Sequence, residues 1–117
     1  MLLRVDPSSE APIFEQLAAS VRSEVARGAL VPGDRLPAAR ELAESLDINI
    51  HTVLHAYQDL RDEGLVDLRR GRGAVITDRA SSHTELLDSV HSLVAEARRL
   101  GIAPATVAAL IREEFRS

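Results

Sequence analysis

Between Leu36 and Ile76 the sequence predicts two short helices, joined by a tight turn and followed by a β-hairpin. The tip of that hairpin is Arg69-Arg70-Gly71-Arg72-Gly73. A compact helix-turn-helix directly before such a tip suits duplex DNA, because one helix fills the major groove and the tip reaches the neighbouring minor groove. The segment therefore predicts a winged helix-turn-helix that binds DNA.

A further helix is predicted ahead of this segment. Pro12 suits the first turn of a helix, where its missing N–H costs nothing, and Gly28 suits the C-terminal cap. Residues 31–34 then indicate a turn, and residues 2–5 alternate weakly, as a short edge strand does. Between them the apolar residues recur at helical spacing and predict a core stripe of Ile13, Phe14, Leu17, Val21 and Val25.

The two short helices are separated by a turn over residues 47–48. The first is expected from about Ala38 to Leu46, and Asn49 is expected to cap the second because its side chain accepts from exposed backbone N–H groups. Gly64 ends the second helix, and strands over residues 65–69 and 74–77 flank the hairpin tip. The inward faces are predicted to consist of Leu42, Ala43, Leu46, Val53, Ala56, Tyr57 and Leu60.

The remainder of the chain predicts a helical tail. Residues 78–82 are polar and are expected to form a linker, which gives a winged domain over residues 1–78 and a tail over residues 79–117. Thr84 is expected to cap the first tail helix and Pro104 to open the second. Two helices cannot bury both apolar faces alone, so either the winged domain or a second copy of the chain must cover them. The long apolar seam favours a two-fold homodimer. The expected dimer contacts are Leu86, Val90, Leu93, Ala97, Leu100, Val107, Leu110 and Ile111.

The composition excludes several classes of protein. Without cysteine, neither a disulfide framework nor a thiolate zinc site is possible. No apolar run approaches the roughly 20 residues that cross a bilayer, and the first residues lack the layout of a secretion signal. We therefore expect a soluble, cytoplasmic protein with no membrane partner.

The net charge of −4 argues against nucleic acid, because a basic domain is the usual electrostatic footprint of a DNA-binding protein. Ten arginines stand against thirteen acidic residues through Arg79, so the deficit is not confined to the tail. The distribution of charge nevertheless favours DNA, since four arginines lie in and beside the hairpin and local fields can differ in sign from the total. All fourteen basic residues are arginine, which suits bidentate contacts to phosphate and guanine.

Several motifs, in this order, resemble the GntR family of bacterial transcription regulators. The pattern covers roughly residues 12–76, more than half of the chain. The opening segment at residues 12–17, the Ala56-Tyr57 pair and the short tail are similar to the YtrA-like branch, which implies a dimer with a small helical tail, commonly a repressor of operons encoding transporters. The most specific motifs are Pro32-Gly33-Asp34-Arg35-Leu36-Pro37, Arg40-Glu41-Leu42-Ala43, Thr52-Val53, Glu63-Gly64-Leu65-Val66 and Gly71-Arg72-Gly73.

The chain departs from the family pattern around its second short helix. Glycine is usual where Asp47 stands, arginine is common where Ile50 and Leu54 stand, and a basic residue often occupies the position of His55. Arginine is the commonest reader of guanine, so its absence leaves shorter polar side chains to read bases. Ile50 or Leu54 is then expected to contact a thymine methyl group.

The predicted contacts with DNA divide by role. Arg72 is expected in the minor groove, Arg69 and Arg70 at phosphates, and Arg40 at a phosphate or at a base near the groove edge. Glycine strips bulk from the hairpin tip and lets it enter a narrow groove. Besides Leu54, the alternative to Ile50, the predicted contacts are Arg40, Asn49, Ile50, His51, Thr52, His55, Arg69, Arg70, Gly71, Arg72 and Gly73.

These residues predict a sequence-specific transcription regulator, expected to be a repressor, that binds an inverted-repeat operator in double-stranded DNA as a homodimer. The alternative is a winged helix used for protein–protein contact without DNA, which the acidic balance favours. No enzymatic activity or cofactor is expected, because no nucleophile–base pair or phosphate-binding loop is evident. No metal is expected either, since His51 and His55 have a suitable spacing but lack further ligands. The sequence leaves open whether a small effector binds at the dimer interface.

Overall fold

The computed structural model describes residues 5–70 and 73–117. The edge strand expected over residues 2–5 lies, except for Val5, outside the described residues, and so do Gly71 and Arg72. The predicted fold class, mainly helical with a small β-hairpin, is confirmed. The elements are α1 (Ile13–Ala26), α2 (Ala39–Leu46), α3 (Ile50–Asp62), β1 (Val66–Arg69), β2 (Gly73–Ile76), α4 (Ala80–Leu100) and α5 (Pro104–Arg116).

The chain divides into two compact units, Met1–Glu85 and Leu86–Ser117. The division falls inside α4, a few residues beyond the boundary expected at residues 78–79, and that boundary stays a prediction. Across residues 5–70 and 73–117, no helix combines the length and the apolar character needed to cross a membrane.

The core of the first unit lies where α1, α2 and α3 meet the hairpin. The predicted apolar stripe on α1 is buried from Leu17 onward, while Ile13 and Phe14 are partly buried and pack against the core. The predicted inward residues of α2 and α3 are buried, except Leu46, which is half-buried. The largest fully buried side chains are Leu17, Leu60, Leu65, Ile76, Val21, Val25, Val53 and Val66.

Helix ends follow the local chemistry of the sequence. Gly28 and Gly64 both have positive φ just beyond a helix, as the predicted caps require. Asp47, where glycine is usual in the resembled family, has φ 55° and ψ 50° and is the only non-glycine residue with positive φ in the described chain. Aspartate tolerates this left-handed conformation better than most residues, so the turn between α2 and α3 keeps its shape.

Two polar contacts hold α3 in place. Arg22 of α1 donates from Nε and Nη2 to the Glu63 carboxylate at 2.9 and 2.7 Å, and this hydrogen bonding raises the pKa of the Arg22 guanidinium. At the other side, the buried Tyr57 hydroxyl donates to the Pro37 carbonyl at 2.6 Å. The first contact joins the C-terminal cap of α3 to α1, and the second joins α3 to Pro37, two residues before α2 begins.

The hairpin is antiparallel, and Val66 pairs with Ile76 and Arg69 with Gly73. A third segment, absent from the sequence prediction, extends this sheet: Arg35 bridges Val75, and the Leu36 N–H donates to the Ala74 carbonyl at 2.9 Å. A segment this short, between two prolines, has no alternating pattern that would reveal a strand. Its pairing arises only when the hairpin is beside it.

Two predictions about the start of the tail are wrong: residues 78–82 do not form a linker, and Thr84 does not cap a helix. Helix α4 already begins at Ala80, whose methyl group is buried in the core of the first unit. Thr84 lies inside the helix, and its hydroxyl contacts the carbonyls of Ala80 and of Val25 in α1, each at 3.0 Å. The start of α4 is therefore fixed by docking against the core rather than by local capping preference.

The second unit comprises the rest of α4, the turn at Gly101 and α5. A groove of about 270 Å³ runs between the two helices and has mostly apolar walls, including Leu93, Val107 and Ile111. Of the eight expected dimer contacts, Ala97 is only 8% exposed and is therefore buried within the single chain. Six of the others remain large exposed apolar side chains, namely Leu86, Val90, Leu93, Leu100, Leu110 and Ile111.

Candidate nucleic-acid interface

The outer face of α3, opposite its buried residues, carries six exposed side chains, of which Arg61 and Asp62 lie in the last turn and the other four precede them. We call these four residues, His51, Leu54, His55 and Gln58, the recognition surface. Three were expected near DNA from the sequence, whereas Gln58 was not. Its position seven residues after His51, two helical turns along the same face, is the signal that would have identified it. A glutamine amide is suited to adenine in the major groove.

The residues at the start of α3 differ in their contacts and in their exposure to solvent. The Asn49 side chain accepts from the His51 backbone N–H at 2.8 Å, so the predicted cap is confirmed. Ile50 and Thr52 are half-buried, and Ile50 packs against the core. Asn49 itself is exposed, so its amide nitrogen is accessible while its oxygen is engaged.

His55 is held by neighbours on two sides. Its ring stacks on Phe14 of α1, with centroids 3.8 Å apart and planes inclined by 17°. Its Nε2 lies 3.7 Å from the Asp59 Oδ2 one turn along α3. This arrangement places His55 at the junction of α1 and α3, which is the edge of the recognition surface. Within the described residues, no three His, Asp or Glu side chains converge as metal ligands do.

The hairpin bears the arginines expected at phosphates. Arg69 and Arg70 are exposed, and the Arg69 Nη2 lies 3.3 Å from the Asp67 Oδ2. That ion pair partly neutralises Arg69, whereas Arg70 stands at the turn itself. Arg35, on the segment paired with β2, adds an exposed cation beside the hairpin that the sequence prediction had not assigned to DNA. The roles expected for Gly71 and Arg72 fall on positions outside the described residues.

A cleft of about 310 Å³ lies between the start of α2, the recognition surface and the hairpin. Leu54 and Leu68 form apolar walls, Ala39 stands at the α2 side, and Arg69 and Arg70 lie at the hairpin side. Arg40, the next residue of α2, is exposed. The fold thus brings together α2, α3 and the hairpin, which the sequence had only placed in order.

The chain is similar to proteins of known class. The family model described as "Bacterial regulatory proteins, gntR family" matches residues 13–76. The HTH-type transcriptional repressor YtrA of Bacillus subtilis is 36% identical over 95 residues, which span 81% of this chain and 72% of that relative.

Two solved structures extend the comparison. YtrA from Sulfolobus acidocaldarius, a GntR-family transcription factor, has a TM-score of 0.63 and 31% identity, covering 85% of this chain and 99% of that one. The DNA-binding domain of AraR in complex with operator ORX1 has a TM-score of 0.56 and 27% identity, covering 64% of this chain and 93% of that one. The second structure shows this fold bound to an operator.

Proposed function

This chain belongs to the gntR family of bacterial regulatory proteins, and on that premise we propose that it is a repressor that binds an inverted-repeat operator as a homodimer. The match to the family model confirms the resemblance inferred from the sequence motifs. The chain is therefore a DNA-binding transcription regulator. The observation that carries the proposal is the exposed recognition surface of α3 beside an arginine-bearing hairpin. Repression is supported by the similarity to the repressor YtrA.

The two halves of this surface suit two parts of a duplex. Helix α3 is exposed along His51, Leu54 and Gln58 and would lie in the major groove, where base edges differ in their donors and acceptors. Arg69 and Arg70 would contact phosphates and fix the register of the helix. Arg72 stays a predicted minor-groove contact on the sequence alone.

The tail supplies the argument for a homodimer. Its exposed leucines, including Leu86, Leu93 and Leu110, would leave a large apolar face in water if the chain were alone. A two-fold pair covers the same face on both copies. Two recognition helices would then occupy successive major grooves, about 34–36 Å apart, which requires an inverted repeat.

The experiment is selection of bound duplexes from a random pool with the full chain, repeated at two salt concentrations. We expect an inverted repeat with half-site centres about 10 base pairs apart and an affinity that falls steeply with salt, because phosphate contacts release counterions. Equal affinity for selected and random duplexes, or capture of a protein partner without DNA binding, would refute the proposal.

Arg70→Ala tests the hairpin, and Arg27→Ala is its matched control. Both residues are exposed arginines, but Arg27 lies at the end of α1 away from Phe14 and the recognition surface. We expect Arg70→Ala to weaken binding to all sequences and to reduce the salt slope by about one counterion. We expect Arg27→Ala to leave both unchanged. Equal losses from the two variants would show that charge alone, rather than the hairpin, governs binding.

A further inference from the structure

Leu54 is an apolar side chain on a surface that we assign to DNA. It is 36% exposed, and Leu68 of β1, on the other wall of the cleft described above, is 39% exposed. Arg69 and Arg70 flank the same cleft. Two leucines beside two arginines are therefore presented where the edge of a major groove and its phosphates would pass.

The chemistry of base edges limits what a leucine can recognise there. Leucine has no donor or acceptor, so it cannot distinguish the polar groups of the major groove. The C5-methyl group of thymine is the apolar group that a base pair presents in that groove. An exposed leucine on a recognition helix consequently favours a thymine at the position it faces.

The structure also separates Leu54 from Ile50, the other residue expected near a methyl group. Ile50 is half-buried and packs against the core, so its side chain is already engaged by the protein. Leu54 lies outside the core cluster and shares the exposed face with Gln58, one turn further along α3. The side chain free to meet a base is that of Leu54.

We propose that Leu54 is a specificity-determining residue that contacts the C5-methyl group of one thymine at the hairpin-side edge of each half-site. The inference rests on the proposed function, because it requires α3 to lie in the major groove. Leu68 supports the cleft from the hairpin and does not reach a base. The recognition of that base pair then depends on a methyl group rather than on a hydrogen bond.

The experiment replaces each thymine of one half-site of a selected duplex by deoxyuridine, which removes only the methyl group. For the wild-type chain we expect one position at which affinity falls about fourfold, the value for one buried methyl group. At that position, cytosine should bind more weakly than thymine, and 5-methylcytosine should recover about fourfold relative to cytosine. Leu54→Ala should bind thymine and deoxyuridine equally at that position.

Matched variants keep the experiment decisive. Leu68→Ala removes the same side-chain volume from the same cleft, and we expect it to retain the fourfold preference for thymine over deoxyuridine. Leu54→Gln replaces the apolar tip by a polar amide and keeps a comparable helical preference. It should lose the preference for thymine over deoxyuridine, and it serves if the alanine variant fails to fold.

The outcomes separate this inference from the function on which it rests. Specific, salt-dependent binding with no deoxyuridine effect, or with an effect that persists in both Leu54 variants, overturns the inference and leaves the function standing. A preference lost in Leu68→Ala but kept in Leu54→Ala overturns it as well. Absence of specific binding by the wild-type chain overturns both.

Discussion

Tyr57 gives this chain a single alkaline titration that reports on the packing of α3. Burial raises the pKa of its phenol well above the usual value near 10. The sequence contains one tyrosine, no cysteine and no lysine, since all fourteen basic residues are arginine. Between about pH 9 and pH 11, Tyr57 is therefore the side chain expected to govern any change in the free energy of unfolding.

The direction and size of the effect follow from proton linkage. An unfolded tyrosine loses its proton near pH 10, whereas folded Tyr57 keeps it, so the stabilising contribution is complete below pH 10 and is lost as the pH rises above it. Because burial keeps folded Tyr57 protonated over this range, the free energy of unfolding should fall by about 1.4 kcal/mol between pH 9 and pH 11.

Tyr57→Phe provides the comparison. It removes the hydrogen bond to the Pro37 carbonyl, which should cost about 1 kcal/mol at pH 8, and it also removes the alkaline titration. The two proteins should therefore become equally stable between about pH 10 and 11, and the variant should be the more stable above that crossing.

The assay is urea unfolding of both proteins at pH 8, 10 and 11, together with an absorbance titration of the phenolate. In the folded wild-type protein, phenolate should form only as the chain unfolds. A phenolate that titrates near pH 10 while the protein remains folded would refute the reasoning, as would an identical pH dependence of unfolding in Tyr57→Phe.

Two further predictions concern the ends of α3 and α1. Asn49→Ala should lower the free energy of unfolding by about 1 kcal/mol, because the His51 N–H loses its cap. Asn49→Asp should keep that stability but bind DNA more weakly, because its carboxylate would face phosphates. Thermal unfolding measures the stability of each variant, and duplex titration measures its affinity for DNA. Equal DNA affinity in Asn49→Asp and the wild-type chain would place Asn49 outside the interface. Gly64→Ala should destabilise the chain more than Gly28→Ala. Both glycines have positive φ, which costs an alanine about 1–2 kcal/mol, but a Cβ at Gly64 would come within 2.9 Å of the Arg79 side chain, while none is met within 4 Å at Gly28. Urea unfolding of the two variants measures the difference, and equal losses would show that Arg79 moves aside freely.

Much of the candidate interface was predictable because its signals are local. The Asn49 cap depends on residues adjacent in the sequence, and the buried face of α3 follows from helical spacing through Val53, Ala56, Tyr57 and Leu60. The exposed face opposite was predicted in part for the same reason. Gln58 lies on it by the same periodicity, although it was not among the predicted contacts.

Other features depend on residues distant in the sequence, which no local pattern encodes. The stacking of His55 on Phe14 joins positions 41 residues apart, and the cleft beside Leu54 exists only where β1 and the start of α2 approach α3. Leu54 and Ile50 were equivalent candidates from the sequence, and only their packing distinguishes them.

The sequence by itself determined which helices form, the caps at Asn49, Gly28 and Gly64, the hairpin and the family, because each is encoded by spacing and side-chain chemistry within a few residues. Tertiary structure alone decided that α4 begins at Ala80, that Arg35 extends the sheet and that Leu54 faces outward. The physical reason is that each of these features depends on what other elements place beside it. An alanine methyl group is buried, a backbone N–H is paired or a leucine is left exposed according to the neighbours that the fold supplies.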